Sequence, residues 1–108
     1  ADLLVADCDM ELVEWLERMS PHGLKNPEPL FLASDLTVDS ATTVGQGRHL
    51  SMQVHDKTGS AEAIGFGLGE QVAEVREARR CKLAFVPTRN EWRGETRVQL
   101  KVKGVQVP

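Results

Sequence analysis

Two neighbouring stretches carry residues able to act on a polyanion. In Arg97-Val98-Gln99-Leu100-Lys101-Val102-Lys103 the polar positions fall two apart. On an extended strand such residues stand in one row at intervals of about 6–7 Å, with Val98, Leu100 and Val102 turned the other way. A row at that interval can follow the backbone of an extended nucleic-acid strand, giving salt-dependent, sequence-tolerant attraction. An ordinary exposed face, or an edge strand guarded by lysines, has the same pattern. Just upstream, Arg89-Asn90-Glu91-Trp92-Arg93-Gly94 sets two arginines, an amide and one of two tryptophans beside a glycine. Trp92 is the main candidate for stacking on a base, with Phe31 second. Asn90 and Gly94 also have a plain reading as turn builders, because both residue types tolerate left-handed backbone. Gln99 can equally satisfy neighbouring backbone.

The charge distribution sharpens the question. Net charge is −3, yet residues 1–47 carry −7 and residues 48–108 carry +4. Within 80–108 there are seven basic residues (Arg80, Lys82, Arg89, Arg93, Arg97, Lys101, Lys103) against two acidic ones. Such asymmetry fits a polyanion-facing side, or a solvated charged surface.

Other chemistries find little support. Ser, His and Asp are present without a nucleophile elbow or recognisable spacing. Gly65-Phe66-Gly67-Leu68-Gly69 lacks the spacing of a dinucleotide or Walker loop. Its alternating glycines suit a tight barrel bend or a flat floor under a nucleic-acid strand. Cys8, Cys81, His22, His49 and His55 show no metal-ligand spacing, and two cysteines fit free thiols in a reducing compartment. Asp2, Asp7 and Asp9 fit solubility and helix capping. No apolar run reaches membrane-span length. The opening residues lack the features of a signal peptide; the absent initiator methionine fits either processing or excision from a longer chain.

The elements that must position these residues follow from periodicity in 108 residues, one domain's worth, of which 41% are hydrophobic. Residues 9–19 predict a helix capped by Asp9, with Leu12, Trp15, Leu16 and Met19 on one face. Pro21, Gly23, Pro27 and Pro29 predict a linker over 20–29. From Leu30 the pattern is β. A strand to Val44 is interrupted at Ser34–Asp35. Residues 49–56 alternate strictly, turning Leu50, Met52 and Val54 inward, and a turn follows at Asp56–Gly59. Over 61–69, Ile64, Phe66 and Leu68 share a face. Residues 71–80 predict a short helix with Val72 and Val75 inside. Residues 81–87 predict a strand with Leu83 and Phe85 inward, confined by Pro87 to an edge or an end, and 96–107 the last strand. Trp15, Phe66 and Phe85 are expected to be buried. Five strands with one helix between the third and fourth predict a mainly β protein, a five-stranded OB-fold Greek-key barrel preceded by an N-terminal helix, with a plain antiparallel sandwich as competitor.

The stretches "SPHGLKNPEPLF" (20–31), "VGQGRHLSMQV" (44–54), "AEAIGFGLG" (61–69) and "AFVPTRNEWRGETRVQLKVKGV" (84–105) stand in an order that resembles the C-terminal part of RecJ-type single-stranded-DNA-specific exonucleases. The resemblance runs from about residue 8 to 105. It implies a bacterial, cytoplasmic 5′→3′ exonuclease of DNA repair and recombination. The catalytic core implied uses Asp and His residues of DHH-type motifs to hold two divalent metals, Mg or Mn. No Asp-His-His run stands in this sequence, so catalytic residues, metal ligands and cofactor are expected from none of its positions. Residues 1–19 resemble the tail of a DHHA1-type domain, and 30–107 the appended OB domain that helps hold the single strand. The sequence departs from the family at His22 and at Leu24-Lys25. Carried onto this chain, the resemblance implies nucleic-acid contacts at Arg48 and His49, at Arg89, Asn90, Trp92 and Arg93, and at Arg97, Gln99, Lys101 and Lys103.

Three readings follow. In the first, this is a non-catalytic domain assisting single-stranded DNA binding. In the second it is a scaffolding module that clamps the parent's catalytic domains or a partner, with homodimerisation through helix 9–19 possible in isolation. An autonomous nuclease is the third, and no degradation by this chain alone is expected.

Overall fold

The computed structural model describes residues 2–19 and 28–108. Most of the expected linker, with His22 and Leu24-Lys25, lies outside the described residues.

Helix α1 (Met10–Arg18) starts where its sequence provides a cap: the Asp9 carboxylate accepts the Leu12 N–H at 2.9 Å. Its buried residues are Val13 and Leu16, and Trp15 is 53% exposed. The expected face is therefore rotated, because the helix lies along strand β4 (Arg80–Trp92) through Val13 and Leu16, which line one cleft with Val86 and Pro87.

Strands β1 (Phe31–Val44), β2 (His49–Asp56), β3 (Gly59–Gly65), β4 and β5 (Glu95–Gln106) close into a barrel in the order β1-β2-β3-β5-β4. β3 and β5 run parallel, and every other pair is antiparallel. Helix α2 (Val72–Ala78) lies between β3 and β4 in the chain and sends Val75 into the core. This is the five-stranded OB barrel, and closure removes the sandwich alternative. Leu36, Leu50, Met52, Val54, Leu83, Phe85 and Leu100 are fully buried in one cluster. Each contributes about 1.5–3 kcal/mol relative to an exposed side chain.

Bulges bend the strands and reset their phase. β1 pairs with β4 over Phe31–Thr37 and with β2 over Thr37–Val44. Its polar interruption at Ser34–Asp35 is a register shift with Asp35 at φ 55°. A second shift, at Asp39, keeps Ala41 inside after Leu36 and Val38.

Three expectations need correction. β3 ends at Gly65, so Ile64, Phe66 and Leu68 do not share an inner face. Ala63 and Gly65 lie on the core side, Leu68 packs on the core from the following turn, and Phe66 is 58% exposed. β4 does not end near Pro87 but continues to Trp92. Pro87 is tolerated because β1 pairs with β4 only as far as Phe85. Asn90 belongs to β4, opposite Arg97, and the turn residues are Arg93 and Gly94 with φ 50° and 78°.

The N-terminal segment packs on the barrel. Leu3 N–H donates to Leu32 O at 2.8 Å, Val5 N–H to the Asp56 carboxylate at 2.9 Å, and Ala6 N–H to Thr58 Oγ1 at 3.0 Å. The Val5 side chain joins the core cluster.

Candidate nucleic-acid interface

Residues directly opposite one another on paired strands face the same side of a sheet. The outer wall of β2, β3 and β5 is thus ordered in rows. Ser51, Ile64 and Lys101 form one row, and Gln53, Glu62 and Gln99 the next. Across β4 the outward partners of Arg97, Gln99 and Lys101 are Asn90, Thr88 and Val86. Arg97, Asn90, Gln53, Ser60 and Glu62 line one shallow cleft on this wall.

The β4–β5 hairpin forms one end of the wall. Two consecutive positive φ angles match the twist of a two-residue turn to the strands beside it. Just before them, Trp92 is 52% exposed. The Arg93 guanidinium lies 4.5 Å from the indole centroid and that of Arg97 lies 5.0 Å away. Both attract the ring's electron-rich face and hold it in place. Cations and an exposed aromatic surface thus share one point, the combination that binds phosphates and stacks bases.

The structure divides the other candidates. Gln99 Nε2 donates to Glu62 Oε1, so this amide holds a carboxylate within the wall. Lys101 is half-buried in the row of Ile64. Lys103 leaves the row: it is the extra residue where Val102 pairs with Phe85 and Gly104 with Ala84, and its ammonium lies 3.8 Å from Glu28. Arg89 is directed to α1, where its Nε and Nη2 meet the Glu17 carboxylate at 3.1 and 3.0 Å. That forked hydrogen bond, with the charge of Arg89, holds the Glu17 carboxyl below the usual carboxylate range.

Arg48 and His49 lie at the opposite end, beside the β1–β2 loop. Arg48 Nε donates to Gly45 O at 3.0 Å and leaves the other guanidinium donors outside that bond. His49 Nδ1 accepts the Gly67 N–H at 3.0 Å, and its ring meets Phe66 edge-on at 5.2 Å. His49 therefore braces the turn after β3. Phe66 is the exposed residue that alternation missed; the signal against burial is the glycine on each side of it, which marks a turn rather than a continuing strand.

Among the described residues no group of three or more His, Cys, Asp or Glu could hold a metal ion. Burial, joined by neighbouring carboxylates, pushes the Cys8 thiol up to about 12, and burial pushes Cys81 up to about 11. Both remain thiols at neutral pH, not the thiolates that bind metals or attack. No helix among the described residues is long and apolar enough to cross a membrane.

Comparison with known proteins places this geometry. The RecJ OB domain family matches residues 1–104. The single-stranded-DNA-specific exonuclease RecJ of Bacillus subtilis (strain 168) is 24% identical over 104 residues, covering 95% of this chain and 13% of that protein. The crystal structure of RecJ from Thermus thermophilus in complex with Mn2+ superposes with a TM-score of 0.67 at 24% identity, over 99% of this chain and 15% of that one. A putative aspartyl-tRNA synthetase from Leishmania major Friedlin reaches the same TM-score of 0.67 at 15% identity, over 99% of this chain and 20% of that one. At these identities the structural likeness speaks for the barrel alone, and the chain spans a small part of each relative.

Proposed function

The chain belongs to the RecJ OB domain family, and from that premise we propose that it holds single-stranded DNA for a RecJ-like 5′→3′ exonuclease of bacterial repair and recombination. The domain itself is non-catalytic. The chemistry belongs to catalytic domains of the same cytoplasmic parent, whose core holds the divalent metals. The RecJ of Thermus thermophilus has been crystallised with Mn2+ and with Mg2+.

The observation that carries this reading is the cluster at the hairpin, where the half-exposed Trp92 has two guanidinium groups within 5.0 Å of its ring, beside the outer wall of β3 and β5. A base stacks on the indole, Arg93 and Arg97 take the flanking phosphates, and Lys101 and Asn90 extend the contact along the wall. Arg48 meets the strand at the far end. His49, Arg89, Gln99 and Lys103 already engage protein groups and support the surface more than they touch DNA.

Titration of the 108-residue chain with a labelled oligothymidylate tests this. Binding is expected at low salt, weakening steeply as salt rises. Replacing Arg97 and Lys101 by alanine together should weaken it further. No binding at low salt would remove the direct-contact role.

The exposed Trp15, beside Leu12 and the carboxylates of Asp9, Glu11 and Glu14, favours a second role. This face docks on the parent's catalytic domains, so the barrel also serves as a scaffold. In isolation it can pair two copies, which a solution mass of twice the monomer would reveal.

A further inference from the structure

We infer that Phe66 is a second base-stacking platform, placed so that the outer wall holds a single strand of about four nucleotides between two aromatic rings. This deepens the single-stranded DNA reading and rests on it.

Position is the first argument. Leu50 pairs with Gly65, so the next step of the β2–β3 register sets His49 opposite Phe66, and their rings do meet, at 5.2 Å and 70°. The pair therefore continues the outward rows Gln53–Glu62–Gln99 and Ser51–Ile64–Lys101. Arg97 and Trp92 extend the same wall in the other direction, because β5 runs parallel to β3 and Asn90, on the same side of β4 as Trp92, pairs with Arg97. From Trp92 through Arg97, Gln99 and Lys101 to the level of Phe66 is roughly four two-residue steps, or about 25 Å. An extended strand laid along β3, one nucleotide per row, thus reaches from one ring to the other at the short end of OB-fold site sizes; in the row of Ile64, which is buried, the contact falls to Ser51 and Lys101.

The second argument is that the turn fixes an aromatic outside the core. A Cβ on Gly65 would stand 2.7 Å from Leu68 Cδ1, so Leu68, not Phe66, packs on the core beside Gly65. Gly67, at φ 77°, gives its N–H to His49 Nδ1. His49 and the glycines therefore hold the phenyl ring in solvent at 58% exposure. The exposed Arg48 precedes His49 in the chain and is the cation at this end of the wall.

The test is fluorescence anisotropy of the 108-residue chain with an oligothymidylate of about eight nucleotides, within OB-fold site sizes, at low salt. It compares Phe66→Ala, Phe66→Leu, Phe66→Trp and Arg97→Ala. Phe66→Ala and Phe66→Leu should each weaken binding about 5- to 150-fold, the range of one lost base–aromatic stack. Phe66→Trp should retain it, and thermal midpoints should be unchanged because the ring is exposed. Wild-type affinity in Phe66→Ala alongside weakened Arg97→Ala overturns the second platform and leaves the DNA reading standing. Wild-type affinity in Phe66→Leu overturns stacking in favour of plain apolar contact. No binding by the wild-type chain overturns both.

Discussion

Gly67 and Gly69 are two residues apart, yet a methyl group added to each meets different physics. At Gly69 it would stand within bonding range of Gly47 O, because this backbone is drawn against the β1–β2 loop by the hydrogen bond from its N–H to Arg48 O at 3.0 Å. At Gly67 the space is open and only the left-handed φ of 77° resists. Gly69→Ala should therefore cost upward of about 3 kcal/mol and Gly67→Ala about 1–2 kcal/mol. Thermal melts separate them, since each kcal/mol moves the midpoint of a domain this size by roughly 4–8 °C. Equal midpoints would mean that the two loops do not pack as described. The same residues show what the sequence could tell. The glycine string was legible as a bend, but not which glycine makes a contact, because close backbone approach joins loops distant in sequence. Arg89 and Lys103 were legible as cations, while their partners Glu17 and Glu28 lie far away along the chain and leave no local pattern.

At the scale of elements, phase decides which residues become wall and which become core. Even-numbered residues of β5 point inward up to Val102, yet Val105 and Val107 also pack on the core. The bulge at Lys103 reconciles the two halves by adding one residue without a partner. Deleting Lys103 should leave Val105 and Val107 inward, because Gly104 then follows Val102 in plain alternation. Only the bend is lost, so the denaturation midpoint should fall little further than in Lys103→Ala, and a collapse of the midpoint would mean that Lys103 is not the unpaired residue. The alternation of 97–102 was readable from the sequence because no bulge interrupts it, whereas Lys103 looked like a fourth member of the row. Another element-scale device is the fastening of the N-terminal segment to the β2–β3 turn. Burial raises the Asp56 carboxyl, but hydrogen bonds from Thr58 Oγ1 and from the N–H groups of Val5, Thr58 and Gly59 outweigh it and leave the group below its ordinary value of 3.8. A depressed carboxyl contributes stability that is fully present above the ordinary value and is lost as pH falls through the folded one. Glu17, depressed by Arg89, acts with the same sign. Unfolding by urea should thus become easier below about pH 4, and Asp56→Asn should be less stable at neutral pH with a shallower acid loss. An acid profile unchanged by that substitution would deny Asp56 the role of fastener.

For the whole molecule, a net charge of −3 argues against attraction to DNA, and the distribution of charge has to overcome it. It does so by partial segregation, since Glu62, held by Gln99, and Glu95, opposite Trp92, remain on the wall. The carboxylates of α1 lie on the helix outside the barrel, where Glu17 also occupies Arg89, while Arg48, Arg93, Arg97 and Lys101 border the β2–β3–β5 wall at its two ends and middle. At an ionic strength near 0.15 M, charges further apart than about 8 Å are largely screened from one another. The wall then acts on DNA by its local charge rather than by the net charge of the chain. If four cations each neutralise one phosphate of a single strand, the logarithm of the binding constant should fall with the logarithm of salt at a slope of about −3, each contact contributing about −0.7. Arg97→Ala should make that slope shallower by about 0.7. Glu17→Gln, whose carboxylate pairs with Arg89 and with none of these four cations, should leave it unchanged even if it frees Arg89 from α1. A slope near zero in the wild-type chain, with binding intact, would mean that stacking on Trp92 and Phe66 holds the strand without the cations. A slope steepened by Glu17→Gln would mean that α1 withholds Arg89 from DNA, and would shift part of the interface from the β3–β5 wall to the far side of the hairpin.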